Sequence, residues 1–417
     1  MERNQSNSQS QTGLAQASKG PLAGILVIEL GQLMAGPFAG HLLADFGAEV
    51  IKVEAPGTGD ASREWGHHRY RGRGLWWPVL ARNKKCITLD LRSARGQMLL
   101  KRLVAKADAL IENFRPGTLE GWGLGPEELL AVNPRLVMTR VSGYGQTGPY
   151  AKRAGFASVG EAMGGLRYIN GYPGEKPPRM GISLGDSLAA IYATLGTLMA
   201  LYWRDALGGS RGQIVDASIM ESCFALLESM VPEYDKVGAV REPAGSSLPN
   251  VAPSNLYRSR DGKWMVIAGN IDSVFRRLCQ AIDQPDLAND PRYATHKARG
   301  EHAAELDELI ATWAGQRNAD EIDRLLNEFG VVCGPIYTIA DIFRDPHYAA
   351  REMIVRMKDS EIGDLAMPGL VPKLSETPGR LDWTGPIQLG SHNLEVYGEL
   401  LGLTQAELAE LAAEGII

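Results

Sequence analysis

The sequence predicts an α/β protein: a larger domain built on a Rossmann-like parallel sheet, and a smaller second domain. Three observations predict it. Short apolar runs alternate with helical patterns from residue 22 to residue 141, as successive βαβ units do. The stretch from Leu188 to Trp203 is apolar on nearly every side, as expected of a helix at the centre of a sizeable domain. A block of helical patterns over 270–328 breaks the alternation and is assigned to the second domain.

Taken in order, Leu22–Leu30 is an apolar, β-branched run ending at Gly31, which reads as a buried strand. Pro37 suits the first turn of a helix that runs through His41 to Phe46 and stops at Gly47. Glu49–Glu54 resumes as the second strand. There is no GxGxxG in the first turn, so a dinucleotide is not implied. Pro56–Trp77 is long, irregular and rich in Gly and Arg, with His67 and His68 inside it; such a loop usually serves an active site or a partner. Strands are expected over Cys86–Leu91, Ala109–Asn113 and Leu136–Val141, with helices over Gly96–Ala107 and Pro126–Val132. The loops at 31–37, 113–117 and 142–149 then lie beyond the carboxyl ends of strands, where ligands bind in such sheets.

Further on, Gln213–Ala217 reads as a strand and Ser218 opens a helix. Residues 238–255 are rich in Pro, Gly and Ser and read as a linker or mobile loop. Leu256–Ala268 reads as a hairpin about Arg260-Asp-Gly262, and 404–414 as a final helix.

Composition excludes several classes. With 44% hydrophobic and 22% charged residues and a net charge of −6, the chain has the balance of a globular enzyme and no general attraction to nucleic acid or anionic membrane. The four cysteines lack metal-ligand spacing and read as reduced thiols of a cytoplasmic protein. The apolar run 188–203 is short for a membrane span. Residues 1–19, rich in Gln, Ser and Asn, read as a disordered tail with no signal-peptide core.

Asp186, between Gly185 and Ser187, stands at the start of the apolar helix. One reading makes it an N-cap. The other makes it a carboxylate kept ionised by the helix end, with Gly185 admitting a substrate close to the backbone. That is the group nucleophilic catalysis through an acyl-aspartyl anhydride requires.

A set of motifs tips the balance. Pro21-Leu-Ala-Gly-Ile-Leu-Val-Ile-Glu-Leu, Ala35-Gly-Pro, Leu43-Ala-Asp-Phe-Gly-Ala-Glu-Val-Ile-Lys-Val-Glu54, Gly57-Thr-Gly-Asp60, Arg82-Asn-Lys-Lys, Glu112-Asn-Phe-Arg-Pro-Gly117, Gly143-Tyr-Gly-Gln-Thr-Gly-Pro149, Gly185-Asp-Ser and Gly334-Pro-Ile336 occur in one order along the chain. With them the sequence resembles the class III CoA-transferases, the family of formyl-CoA and carnitine CoA-transferases that also includes α-methylacyl-CoA racemase. The resemblance implies a Rossmann-like large domain whose parallel sheet is formed from both chain ends, with a smaller inserted α+β domain and an interlocked ring-like homodimer. The corresponding boundaries are 20–225 for the first part of the large CoA-binding domain, 226–329 for the small domain, and 330–417 for the return.

It also implies Asp186 as nucleophile and no tightly bound cofactor or metal, coenzyme A entering as the substrate acyl-CoA. By correspondence, CoA would lie against Gln32, Met34, Ala35, Leu89, Arg92, Asn113, Arg115 and Tyr144. Ala55 replaces an arginine that formyl-CoA transferase places near the nucleotide, so another cation, from Arg69 to Arg73, is expected to serve. The 238–255 segment lacks the tetra-glycine loop of that enzyme and is expected to close over the thioester. The stretches around 156–166 and 179–186 look more like members that use succinyl-CoA with C4–C6 dicarboxylates such as malate, citramalate or itaconate. A distal carboxylate needs a cation, for which Arg179, His67, Arg71 and Arg73 are candidates. Glu161, at a position often Gln in the family, is either near the active site or a surface charge. Two rivals stand beside this reading. A racemase needs a second base, and no His lies between His68 and His296. A non-catalytic CoA- or nucleotide-binding regulator would not use Asp186 covalently.

Overall fold

A computed structural model describes residues 20–417; the expected tail, 1–19, lies outside the described residues. Contacts divide the chain into two compact units. Among the described residues, the first contains 20–160, Ser183–Cys223 and Glu352–Ile417; the second contains Glu161–Ile182 and Phe224–Arg351.

The first unit is organised on six strands: β1 (Leu26–Glu29), β2 (Glu49–Glu54), β3 (Lys84–Thr88), β4 (Ala109–Glu112), β5 (Val137–Ser142) and β6 (Ile214–Ser218). All neighbours are parallel, in the order β3-β2-β1-β4-β5-β6. This is the doubly wound order, whose switch point falls between β1 and β4. The strands are near-continuous apolar runs because both faces are covered. On one side, helix α2 (Ala94–Val104) buries Leu99, Leu100 and Leu103 in a core shared with Ile28, Ile51 and Ile87. On the other, helices α1 (Ala35–Asp45) and α3 (Leu184–Ala206) pack together, α3 lying along β5 and β6.

All six strands come from residues 26–218, so the sheet does not draw strands from both chain ends, as the resemblance suggested. The C-terminal segment covers it instead. Tyr397 donates its hydroxyl to the Thr88 carbonyl (2.7 Å), and Asn393 holds both Thr88 N–H (2.9 Å) and Thr88 Oγ1 (2.8 Å). Leu411 and Ile416 join the core. A hairpin over Ile354–Asp359 and Gly363–Pro368 pairs with itself as a separate two-stranded sheet.

The second unit holds a three-stranded antiparallel sheet, in which β8 (Trp264–Ala268) lies between β7 (Ser254–Arg258) and β9 (Val332–Pro335). Helices α4 (Asp272–Ala281), α5 (Ala303–Gly315) and α6 (Ala319–Glu328) complete its core. Its boundaries differ from 226–329 at both ends. Residues 332–335 pair with β8, so the chain leaves this unit only after Arg351. Residues 161–182 belong to it because Gly171 accepts from Gly245 N–H (2.9 Å) and Tyr168 Oη meets Glu242 (2.8 Å). Of the 238–255 segment, Ser254 and Asn255 begin β7, and the rest forms no strand or helix beyond a bridge between Leu248 and Val251.

Candidate active site

Helix α3 begins at Leu184 with Ser183 as N-cap, so Asp186 is the third helical residue and not the cap. Ser183 makes no side-chain capping bond; instead its carbonyl accepts the Ser187 hydroxyl at 2.9 Å. Asp186 sits where the helix dipole is positive, which favours its ionised form. Gly185 is buried, and a Cβ there would stand 3.0 Å from Ile219 Cγ2 and 3.1 Å from the Ala157 carbonyl oxygen. The side of Gly185 where a Cβ would stand is therefore filled by protein.

Asp186 lines a cavity of about 270 Å³ together with residues 32–35 after β1, Asn113 and Phe114 after β4, and the end of β5 at Ser142 and Gly143. Next to it lies a cavity of about 520 Å³ along the ends of β2 and β3, lined by residues 54–56, Thr58 and residues 89–92. The two share Gln32 and Phe114, so one crevice follows the carboxyl ends of the strands and spans the switch point. A long, bent ligand with a reactive end at Asp186 fits this layout. Another hollow, of about 540 Å³ beside α1, is mostly apolar. Its polar members satisfy one another: Asp45 takes Arg82 at 2.6 Å and His41 at 3.2 Å, and burial pulls the His41 imidazole below its ordinary pKa despite Asp45.

Of the residues expected against CoA, Gln32, Met34, Ala35 and Asn113 line the Asp186 cavity, and Leu89, Arg92 and again Gln32 line its neighbour. Asn113 is a clamp: its Oδ1 accepts Gln32 N–H at 2.7 Å and its Nδ2 donates to the Gln32 carbonyl at 2.8 Å. Tyr144, buried and stacked edge-on against Tyr150, and the exposed Arg115 line neither cavity. The long loop does not bring its cations there either. Arg69 pairs with Glu64 (2.7 Å), Arg71 donates to the Glu361 carbonyl (3.0 Å), and Arg73 lies 3.6 Å from Asp359 and 3.4 Å from Glu361. His67 and His68 are exposed and stack on each other. From that loop only Trp65 lines the Asp186 cavity. Arg179 is exposed and makes no ion pair among the described residues; it lies in the other unit. Glu161 is 3% exposed, which removes its reading as a surface charge.

Sequence reasoning missed the aromatic lining, Phe114, Trp122 and Phe156, and a cluster of buried charges beneath the β1 exit. Lys52 stands 2.7 Å from Asp60 and 3.2 Å from Glu29, and Lys84 stands 2.7 Å from Glu29, all fully or almost fully buried. Burial alone would pull Lys52 down, but Asp60 and Glu29 outweigh it and hold the ammonium above its ordinary pKa. Burial likewise pushes Asp60 up, yet Lys52 and the Ser62 amide bring it down to about 2. A charged residue inside the apolar run Val50-Ile-Lys-Val53 was the available signal, since an unpaired buried ammonium is too costly to keep.

Known proteins resemble this chain over nearly its whole length. The family model for CoA-transferase family III matches residues 22–393. Succinyl-CoA--D-citramalate CoA-transferase of Chloroflexus aurantiacus is 58% identical over 397 residues, covering 95% of this chain and 98% of that protein. The succinyl-CoA--L-malate CoA-transferase alpha subunit of the same organism is 42% identical over 399 residues, covering 95% and 92%. A CAIB/BAIF family protein from Brucella suis has a crystal structure that matches with a TM-score of 0.80 at 34% identity, covering 91% of this chain and 99% of that one.

Proposed function

The chain belongs to CoA-transferase family III, and from that premise we propose that it moves CoA from succinyl-CoA to a C4–C6 dicarboxylate through a covalent intermediate on Asp186. The observation that carries the proposal is the position of this carboxylate, at a helix N-terminus in a cavity at the switch point of a parallel sheet. The name of the 58%-identical relative supports succinyl-CoA as donor and favours citramalate as acceptor.

In the proposed sequence an Asp186 oxygen attacks the thioester carbonyl. The C–S bond breaks, leaving a mixed anhydride and CoA thiolate. The thiolate then attacks the aspartyl carbonyl and expels succinate, so Asp186 carries CoA as a thioester. The acceptor carboxylate attacks that thioester, again releasing thiolate and forming a second anhydride. Attack of the thiolate on the acceptor's carbonyl frees the Asp186 carboxylate and the new acyl-CoA. No redox partner is needed, and the thioester free energy is conserved while water stays out. The apolar lining, Phe114, Phe156, Trp65 and Met34, supports that exclusion.

A racemase needs a second base across the α-carbon, and no histidine lines the Asp186 cavity. A homodimer is also proposed. Its support is the apolar stripe along α3, where Ile191, Leu195, Met199 and Tyr202 are between 44% and 62% exposed in the single chain; a surface of this kind normally meets a partner. Four free cysteines fit a cytoplasmic setting.

The test is incubation with succinyl-CoA, rapid quenching and mass analysis of the peptide containing residue 186. A CoA or succinyl adduct on Asp186, followed by citramalyl-CoA when citramalate is added, is the expected result. Exchange of α-protons without an adduct would replace the proposal with the racemase. Sedimentation as an active monomer would remove the dimer.

A further inference from the structure

We propose that Lys52 and Asp60 are positioning residues of the transfer reaction: as a buried ion pair they hold the turn Gly31-Gln32-Leu33 in a strained shape that sets the wall of the Asp186 cavity. The proposal rests on the transferase reading of that cavity.

Three successive residues of the turn are each held by a side chain from elsewhere. Lys52 Nζ donates to the Gly31 carbonyl. Asn113 holds Gln32 at both its N–H and its carbonyl. Asp60 accepts Leu33 N–H, at 3.2 and 3.3 Å to its two oxygens. Leu33 itself has φ +65°, a left-handed conformation that a γ-branched side chain rarely adopts. Such a backbone persists only where the surroundings over-determine it, and it collects at working sites. The next residues, Met34 and Ala35, line the Asp186 cavity and begin α1. Lys84 extends the same grip by donating to the Pro37 carbonyl at 2.6 Å.

Stability alone does not account for the pair. A buried ion pair is often no more stabilising than apolar residues of the same volume. Besides Glu29 beside Lys52 and the Ser62 amide and hydroxyl on Asp60, each member of the pair also holds a backbone atom of the same short turn. Neither Lys52 nor Asp60 lines the cavity itself, so each acts through residues 31–35.

The test compares Asp60→Asn, Lys52→Arg and the double variant Lys52→Met/Asp60→Leu, the last removing both charges together. Each is assayed for thermal stability, for amide hydrogen exchange at residues 31–35, and for kcat and KM with succinyl-CoA and citramalate. The expected result is a fall in kcat of about 100-fold in the double variant, the scale of loss when a reacting group is misplaced by about 1 Å. KM for citramalate should stay within about 2-fold, because the ground-state contacts of the acid are untouched. Exchange at Leu33 should rise by about 10-fold or more in Asp60→Asn, and Lys52→Arg should recover part of kcat by keeping the charge. Wild-type kcat and exchange in a folded double variant would overturn the proposal, as would losses that follow the melting temperature alone. Should the wild-type enzyme transfer no CoA, the transferase reading falls, while the exchange data still decide whether the pair holds the turn.

Discussion

The loops that leave β1 and β2 start from neighbouring strand ends and use charge in opposite ways. The β1 loop, residues 31–35, carries no charged residue, yet it is gripped from beneath by Lys52, Asp60 and Asn113 and lines the Asp186 cavity with four residues. The β2 loop, 55–75, carries Arg63, Arg69, Arg71 and Arg73, and all four are bound to protein oxygens: Glu54, Glu64, the Glu361 carbonyl, and Asp359 with Glu361. Charge in a sequence therefore does not locate an anion site. What narrows the search is a cation without an ion-pair partner that also lines a cavity, as Arg92 does along β2 and β3; Arg115 and Arg179, also without an ion pair among the described residues, are exposed and line neither cavity.

The comparison has force only if the cavity walled by the β1 loop is where the chemistry occurs. Asp186→Ala is the sharpest test of that. Asp186 is not the cap of α3, so its removal should leave the melting temperature nearly unchanged while transfer falls by about 10³-fold or more, as when a covalent nucleophile is lost. Turnover near the wild-type level would place the reaction elsewhere and strip the β1 loop of its role.

The unpaired cations come next. For Arg92→Ala, loss of one charge-assisted contact to a phosphate, about 1.5–3 kcal/mol, should raise KM for succinyl-CoA by about 10-fold or more, with a steeper effect at low salt. An unchanged KM would mean the cavity at β2 and β3 does not hold the nucleotide end. For Arg179→Ala, an exposed cation outside both cavities, the expected loss in kcat/KM with a dicarboxylate is no more than about 1 kcal/mol, against little change with a monocarboxylate of similar length. Equal effects on the two acids, or none, would remove Arg179 from the acceptor site.

Much of the architecture was legible because it is local. The βαβ alternation, the unbroken apolar runs of β1, β2 and β4, and the Pro37 start of α1 lie within short windows, and all appear in the structure. What depends on pairing across distance was not. The strand 332–335 looked like part of the return to the large sheet, but its partner is β8, some 65 residues earlier in the chain. The hairpin over 354–368 has mixed polarity and gave no strong period. Helix α3 shows a subtler limit. Its apolar residues on all sides suggested full burial, but the buried face is made mostly of small residues, Ala189, Ala190, Ala193 and Ala200, with Leu201 and Arg204 buried near its end, while Ile191, Leu195, Met199 and Tyr202 are exposed. Hydrophobicity alone does not distinguish a face packed against its own sheet from one exposed in the single chain. In the site, Asp186 and the Asn113 clamp could be placed by motif, whereas the Lys52–Asp60 pair could not, because it involves side chains that only the folded sheet brings together.

The smallest expected effect is the one that tests the other side of the comparison. Arg73 is 17% exposed, and its guanidinium faces Asp359, almost fully buried, and Glu361, about half exposed. The separations, 3.6 and 3.4 Å, are those of an ion pair without short hydrogen bonds, and solvent reaches one partner. Such a pair contributes no more than about 1 kcal/mol, so Arg73→Ala should lower the melting temperature by only about 2–4 °C. Asp359 is also held by the Glu361 and Ile362 amides at 3.0 and 2.9 Å and by the Thr384 hydroxyl at 2.8 Å, so its turn should survive the loss. Because Arg73 is committed to that turn and lines neither cavity, KM for both succinyl-CoA and the dicarboxylate should remain within about 2-fold of wild type. A selective rise in KM for the dicarboxylate, with KM for succinyl-CoA unchanged, would show that Arg73 leaves its carboxylates for the substrate. The β2 loop would then be a second source of binding charge, and the contrast between the two loops would fail.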